Sequence, residues 1–286
     1  KRGLVLSEPE IDEAEWERER EEKRLLLLRQ AWLGRDRLYR DLFGEPTWVS
    51  PKNYGPPSLE VKTDKKVTSG SMSVDPTNPY QSVSEDNVDS AEQHLAVLAY
   101  GPDPFRPHWT YITAGISSPW VHYEPQEVSG FGCELMIKSP VDLPWAPQVL
   151  RTMAFYIFNH AGTLSPGVRI GLGGPIQAGS DSALRNVIIY YADEAPDCWY
   201  QLPSGGFGIF LAIGVTEAEC RYAESVEKYG TWCVEQLLRR KGYGQITDPT
   251  RRCTMDDADT PAMLSSIKQF ADTFRENEAD IMGENL

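Results

Sequence analysis

The chain has 286 residues, with 28 Lys and Arg against 42 Asp and Glu, a formal charge of −14. At 41% hydrophobic and 10% aromatic residues it can build a substantial core, which excludes wholesale disorder. The acidity argues against unassisted binding to nucleic acid or an anionic membrane, and no apolar run approaches the roughly 20 residues of a membrane span. Five cysteines, at 133, 198, 220, 233 and 253, form no CxxC pair and their number is odd, so we expect reduced thiols in a cytoplasmic protein. The acidity is concentrated at the ends: residues 1–24 carry net −3, residues 254–286 net −6, and the 229 residues between them −5. No signal-peptide pattern follows the opening Lys1-Arg2-Gly3.

Asp12 to Arg24 is almost continuously charged, with Glu19 and Lys23 at the favourable i, i+4 spacing, and reads as a solvated helix. Leu25, Leu28, Trp32, Leu38 and Leu42 then recur at helical intervals beside Tyr39 and Phe43, so one helix should pass from exposed to packed and stop near Gly44. Residues 50–90, rich in Pro, Gly, Ser and Asp, should form a long irregular connection. Strands are expected over His94–Tyr100, His108–Ile116, Phe131–Lys138, Leu184–Tyr191 and Gly208–Val215.

Between the third and fourth strands, Pro144 begins a helix with an apolar stripe of Val149, Leu150, Met153, Ile157 and Phe158. Thr216 followed by Glu217 and Glu219 marks an N-cap with an acidic first turn, starting a helix towards Lys228. A second helix should run from Thr231 to Arg240. The last, from Pro261 to Asp280, places Met263, Ile267, Phe270 and Phe274 on one face.

Catalytic and metal signatures are absent from this pattern. The histidines at 94, 108, 122 and 160 form no HxH, HxxxH or HExxH spacing. There is no GxSxG elbow, and Cys133 lies inside an apolar strand, where a thiol is usually inert. Gly171-Leu172-Gly173-Gly174-Pro175 completes no phosphate-binding motif, and Pro175 removes an amide that a phosphate would use. Asp193-Glu194 and Asp256-Asp257 are neighbours in loops and make no acid/base dyad. We therefore assign no catalytic residue, no metal and no cofactor. The competing expectation is a hydrolase or nucleotide-binding enzyme built on His108, Glu134 and the Gly171–Gly174 loop; it requires a pocket that unites them.

A series of segments in fixed order carries more information. It runs His108-Trp109-Thr110-Tyr111-Ile112 with Gly115 and Ser117, Ser129-Gly130-Phe131-Gly132-Cys133-Glu134-Leu135, and Leu143-Pro144-Trp145. It continues with Tyr156-Ile157-Phe158, Gly206-Phe207-Gly208, and Gln245-Ile246-Thr247-Asp248 followed by Arg251-Arg252. These segments resemble the Suppressor of fused family over roughly residues 35–257. Departures are Lys138 near the family's Arg, and Gly206 in place of a Pro before Phe-Gly.

The resemblance implies an α+β fold, a mixed, largely antiparallel sheet packed against helices, flanked by a charged helical extension (1–34) and an acidic amphipathic C-terminal helix (258–286). It looks like the short, single-domain, bacterial-type members. These resemble immunity proteins of toxin systems, so the implied function is to sequester or neutralise a protein partner, without nucleic acid or membrane. The terminal helices offer a route to oligomers. In animal members an acidic residue after the loop corresponding to Ser165-Pro166-Gly167 contributes to partner binding. Val168 stands there, so transcription-factor binding is not carried over.

Most motif residues have structural readings. Gly130 and Gly132 suit a tight turn with positive φ, and Phe131 can pack inward. Trp109 and Tyr111 share a strand face and would fill the core with Phe131, Leu135 and Phe158. Glu134, among apolar neighbours, needs a partner, for which Arg151 and Arg169 are candidates. His108 and Asp248 read as structural hydrogen-bonding residues. The surface expected to meet a partner is Tyr156, Leu164 and Val168, where the family helix ends.

Overall fold

The computed structural model describes residues 13–52, 54–57, 59, 95–161 and 164–283. His94 and most of the 50–90 connection lie outside the described residues.

Helix α1 (Glu13–Phe43) includes the charged run, with Lys23–Glu19 at 3.0 Å and Arg24–Glu21 at 2.6 Å along its surface. That half is not simply solvated. Arg20 lies over the rings of Trp16 and Tyr123, and Arg24 donates to the Trp120 carbonyl at 3.2 Å. Its buried residues are Leu27, Leu28, Ala31, Arg35, Tyr39 and Phe43. Of the expected stripe of Leu25, Leu28, Trp32, Leu38 and Leu42 only Leu28 is fully buried, together with the flanking Tyr39 and Phe43; the helix is turned so that an arginine lies at the centre of its buried face. A count of apolar residues cannot register a buried charge. The helix also runs unbroken through residue 34, so the charged extension and the domain share one element.

The sheet has strands β1 (Trp48–Ser50), β2 (Ala96–Tyr100), β3 (Trp109–Ala114), β4 (Val128–Ser139), β5 (Arg169–Gly171), β6 (Leu184–Tyr191), β7 (Tyr200–Leu202) and β8 (Gly205–Thr216). Their order is β1-β2-β3-β4-β8-β6-β5, with β7 paired to β8. Among the described strands only β4 and β8 pair in parallel, and the rest are antiparallel. Strands β1, β5 and β7, three residues each, escaped the sequence reading because two or three residues carry no measurable alternation.

Helices cover both faces. Alternation sends Leu98, Ile112, Met136, Leu211 and Ile213 to one face, under α1, α3 (Glu217–Ser225) and α4 (Gly230–Arg240). Val97, Tyr111, Leu135, Ile137 and Ala212 go to the other, under α2 (Trp145–Tyr156). Because β8 is sandwiched between these layers, all twelve of its residues are buried. Tyr111 and Leu135 are buried as expected, while Trp109, Phe131 and Phe158 are partly buried against the same core.

Helix α5 (Thr260–Gly283) packs on α4 in a third cluster of Cys233, Leu237, Leu264 and Ile267. Its buried face is Leu264, Ile267 and Ala271, one step round from the expected one. Phe270 is 60% exposed and stacks on Trp232 at 6.2 Å, and the Phe274 side chain lies outside the described residues.

Candidate functional site

The SGFG segment opens β4 with Gly130 at φ +55 and Gly132 at φ +71. A Cβ on Gly130 would meet the Ser118 carbonyl oxygen at 2.4 Å and that of Ile116 at 2.6 Å, so only glycine lets this turn lie against residues 116–118. Two contacts seal the approach: Phe131 N donates to the Ile116 carbonyl at 3.0 Å, and Ser129 Oγ to that of Ser117 at 2.6 Å.

The turn delivers Glu134 into a closed polar centre. Its Oε2 accepts from Thr113 Oγ1 at 2.6 Å; its Oε1 accepts from Gly115 N at 2.8 Å, Ser117 N at 3.0 Å and Ser117 Oγ at 2.7 Å. Arg35 of α1 brings the counter-charge, Nη1 to Oε1 at 3.4 Å, and also donates to Ser117 Oγ, Ser118 Oγ and the Tyr54 hydroxyl. Burial works against the Arg35 charge, but the fields of Tyr54 and Glu134 outweigh it and raise its pKa. Neither expected partner is used. Glu134 faces the α1 side of the sheet with Met136, whereas Arg151 belongs to α2 on the opposite side and donates to the Ser50 carbonyl at 2.6 Å. Arg169 lies on β5 and donates to the Gly167 carbonyl and Thr231 Oγ1.

A second polar centre forms at the other end of β4. His108 Nε2 lies 3.1 Å from Glu194 Oε1, and Lys138 is ion-paired to the other oxygen of Glu194. Lys138 Nζ also donates to Gln245 Oε1 at 2.8 Å, and Gln245 Nε2 donates to the Tyr191 carbonyl and to Glu235. Burial alone would raise the Glu194 carboxyl; the His108 hydrogen bond and Lys138 lower it to about 2. Burial draws Lys138 below its usual ammonium range despite Glu194. Asp248 Oδ1 accepts from Thr250 N and Oγ1, closing the turn that leads to Arg251.

His108 and Glu134 therefore serve different centres. Register pairs Thr110 with Lys138 and Ile112 with Met136, which leaves His108 about six positions from Glu134, roughly 20 Å along the sheet. Gly171 ends the edge strand β5 and the loop to Gly174 follows it, while Glu134 is fully buried in its own centre and His108 is paired with Glu194. Among the described residues no group of three His, Cys, Asp or Glu is placed to hold a metal. No helix among them is long and apolar enough to cross a membrane.

The expected partner surface is rearranged. Tyr156, at the end of α2, is 45% exposed, but Leu164 is 4% exposed and belongs to the α2-side core, so it offers no contact area. Val168 is partly buried against that core, and its carbonyl accepts from Ile189 N at 2.8 Å. Beyond it, β5 pairs with β6 on one side, and no described strand pairs with the other. Leu172 N bonds the Arg185 carbonyl, so Ile170 faces β6 and the backbone groups of Arg169 and Gly171 point outward. At the opposite end of the sheet, Arg151 ties down the Ser50 carbonyl and hydroxyl of β1. The sequence signal for an open edge was slight: a three-residue strand before a glycine-rich turn.

These features define a mixed α+β domain with two buried polar centres and a β5 edge that pairs with no described strand on its outer side. The sequence model of the Suppressor of fused protein (SUFU) matches residues 91–252, more than half of the chain, and the chain belongs to that family. Arg35, which neutralises the motif residue Glu134, lies outside the matched segment. Similar solved structures include Drosophila Suppressor of Fused, at 19% identity and a TM-score of 0.51, covering 61% of this chain and 45% of that one. The chain thus spans less than half of the length of the Drosophila protein. A Sufu–Fu complex shows 21% identity and a TM-score of 0.48 over 59% of this chain and 81% of that one. A putative SUFU homologue from Neisseria gonorrhoeae shows 18% and 0.43 over 57% and 80%. No match was found among curated proteins.

Proposed function

We propose that this domain binds a protein partner without turning over a substrate, and acts by sequestering or neutralising it, as an immunity-type protein of a toxin system does. The observation that carries this reading is the outer edge of β5. There Arg169 and Gly171, just beyond Val168, turn backbone donors and acceptors outward, while Tyr156 is half-exposed at the end of α2. An extended segment of the partner can pair with such an edge, and Tyr156 adds an amphipathic anchor. Membership of a family whose resemblance implies binding modules supports the same reading.

The test is a pull-down from the native host followed by affinity measurements on Tyr156→Ala, Val168→Asp and Gly171→Pro, the last removing one outward N–H. Each should weaken binding, Tyr156→Ala by about 1–2 kcal/mol. Unchanged affinity in folded variants removes the edge from the proposal. Saturable turnover of a small molecule by the purified chain removes the binding reading itself.

A further inference from the structure

Helix α1 buries one side, and its exposed side has an order of its own. With about 100° between successive residues, Glu19, Glu22, Leu26, Leu33, Arg37 and Arg40 fall within about 60° of arc, opposite the buried Ala31 and Arg35. Along the helix this line reads two acids, two leucines, two bases. All six are exposed, the leucines to 48% and 49%. One half-exposed leucine is ordinary. Two placed symmetrically within a charge pattern are not. The midpoint between Leu26 and Leu33 is also the midpoint between Glu22 and Arg37 and between Glu19 and Arg40. Turning the helix end over end about that point puts acid on base at both ends and leucine on leucine between them. Among the described residues Glu22 and Arg37 form no ion pair within the chain, so both charges are available. Glu19 is paired with the exposed Lys23, and Arg40 with Asp36 and Glu45, surface contacts of small energy.

We infer that the occupant of this face is the same face of a second copy of this chain, in an antiparallel, two-fold symmetric pair of α1 helices. Each Leu26 packs against the partner's Leu33, and each Glu22 meets the partner's Arg37. The orientation follows from charge. A parallel pair would set Glu19 and Glu22 on their own copies, and Arg37 and Arg40 on theirs, and like charges in contact are destabilising. A uniformly acidic or basic partner would suit one half of the line and be repelled by the other. A partner with the reversed order suits both, and this chain carries that order itself, which is what a two-fold interface requires. The face lies on one unbroken helix, so it loses little freedom on docking. Arg29, at the rim of the line beside the two-fold axis, approaches its own copy, so the pair should be weak and concentration-dependent rather than obligate.

Sedimentation equilibrium of the purified full chain should show monomer and dimer in exchange by about 100 µM, and a chain that stays monomeric there overturns the inference. Leu26→Gln combined with Leu33→Gln should weaken the dimer at least about tenfold. Circular dichroism should stay unchanged, because both side chains are already half in water and glutamine is a good helix former. A dimer that survives this change unaltered overturns the choice of face. Glu22→Lys should also weaken the dimer, since it sets a lysine against the partner's Arg37 at both ends. Adding Arg37→Glu should restore it. The two positions are about 22 Å apart along one helix, so recovery reports a contact across the pair. A double variant as weak as Glu22→Lys alone overturns the antiparallel register. None of these residues belongs to the β5 edge, whose binding role stands or falls separately.

Discussion

Of three completely buried glutamates, Glu235 pairs with Arg239 one turn along its own helix, whereas Glu134 and Glu219 each meet an arginine from a distant segment and are neutralised differently. Glu219 meets its counter-charge directly: Arg251 Nη1 and Nη2 lie at 2.7 and 2.6 Å from its two oxygens. Thr254 N and Oγ1 and Thr216 N supply the remaining donors. Glu134 is held mostly by neutral donors, with Arg35 more distant at 3.4 Å and shared among hydroxyls. The first arrangement depends on one bidentate ion pair. The second spreads the charge over a preorganised loop, and the arginine chiefly ties α1 to that loop.

The comparison predicts a hierarchy of losses. Glu219→Ala should be the most damaging, about 4–5 kcal/mol in urea unfolding, because it strands buried Arg251 and removes the capping box of α3. Glu134→Ala should cost about 3–4 kcal/mol, since Arg35 keeps other acceptors while four donors, on Thr113, Gly115 and Ser117, lose theirs. Trp109→Ala, which removes a partly buried ring stacked on Tyr111, should cost about 3 kcal/mol and provides an apolar reference. Arg35→Met should cost less, about 1–2 kcal/mol, because the neutral donors continue to hold Glu134. If Arg35→Met proved as costly as Glu219→Ala, Glu134 would depend on a direct ion pair after all.

Acid should sharpen the distinction by a smaller margin. Burial alone would raise Glu219; Arg251 and the backbone donors hold it below the usual carboxylate range. Its contribution is therefore present above the unfolded-state pKa and is lost as pH falls through the folded one. Glu194, lowered from 4.5 to about 2, should give a parallel loss between those two values. Stability-versus-pH curves of Glu219→Gln and Glu194→Gln should each be flatter than wild type below the normal carboxylate range. Curves superimposable on wild type would contradict both assignments.

The two glutamates also differ in how far they could be read in advance. Thr216 and Glu219 are three residues apart at the end of an apolar run, and that spacing specifies a helix start because cap and carboxylate lie within one turn. Glu134 was recognisable as a buried charge needing a partner, but Arg35 lies about a hundred positions away in a helix whose apolar stripe suggested another face. His108, Lys138 and the loop pair Asp193-Glu194 were each visible, but nothing local indicated that Glu194 joins the other two. Leu164 illustrates the opposite failure: an apolar residue at a helix end was read as contact surface, and the fold used it as core.

Local chemistry was sufficient for the five longer strands, the helices after residue 144, the need for glycine at 130 and 132, and the family, because each rests on residues within a few positions of one another. Tertiary structure decided what depends on distant segments meeting. It chose which face of α1 turns inward, which arginine neutralises Glu134, and which edge of the sheet Arg151 ties down while no described strand pairs with the outer side of β5. It also left Leu26 and Leu33 half in water, since a hydrophobic residue is exposed or buried only according to what the rest of the chain brings over it.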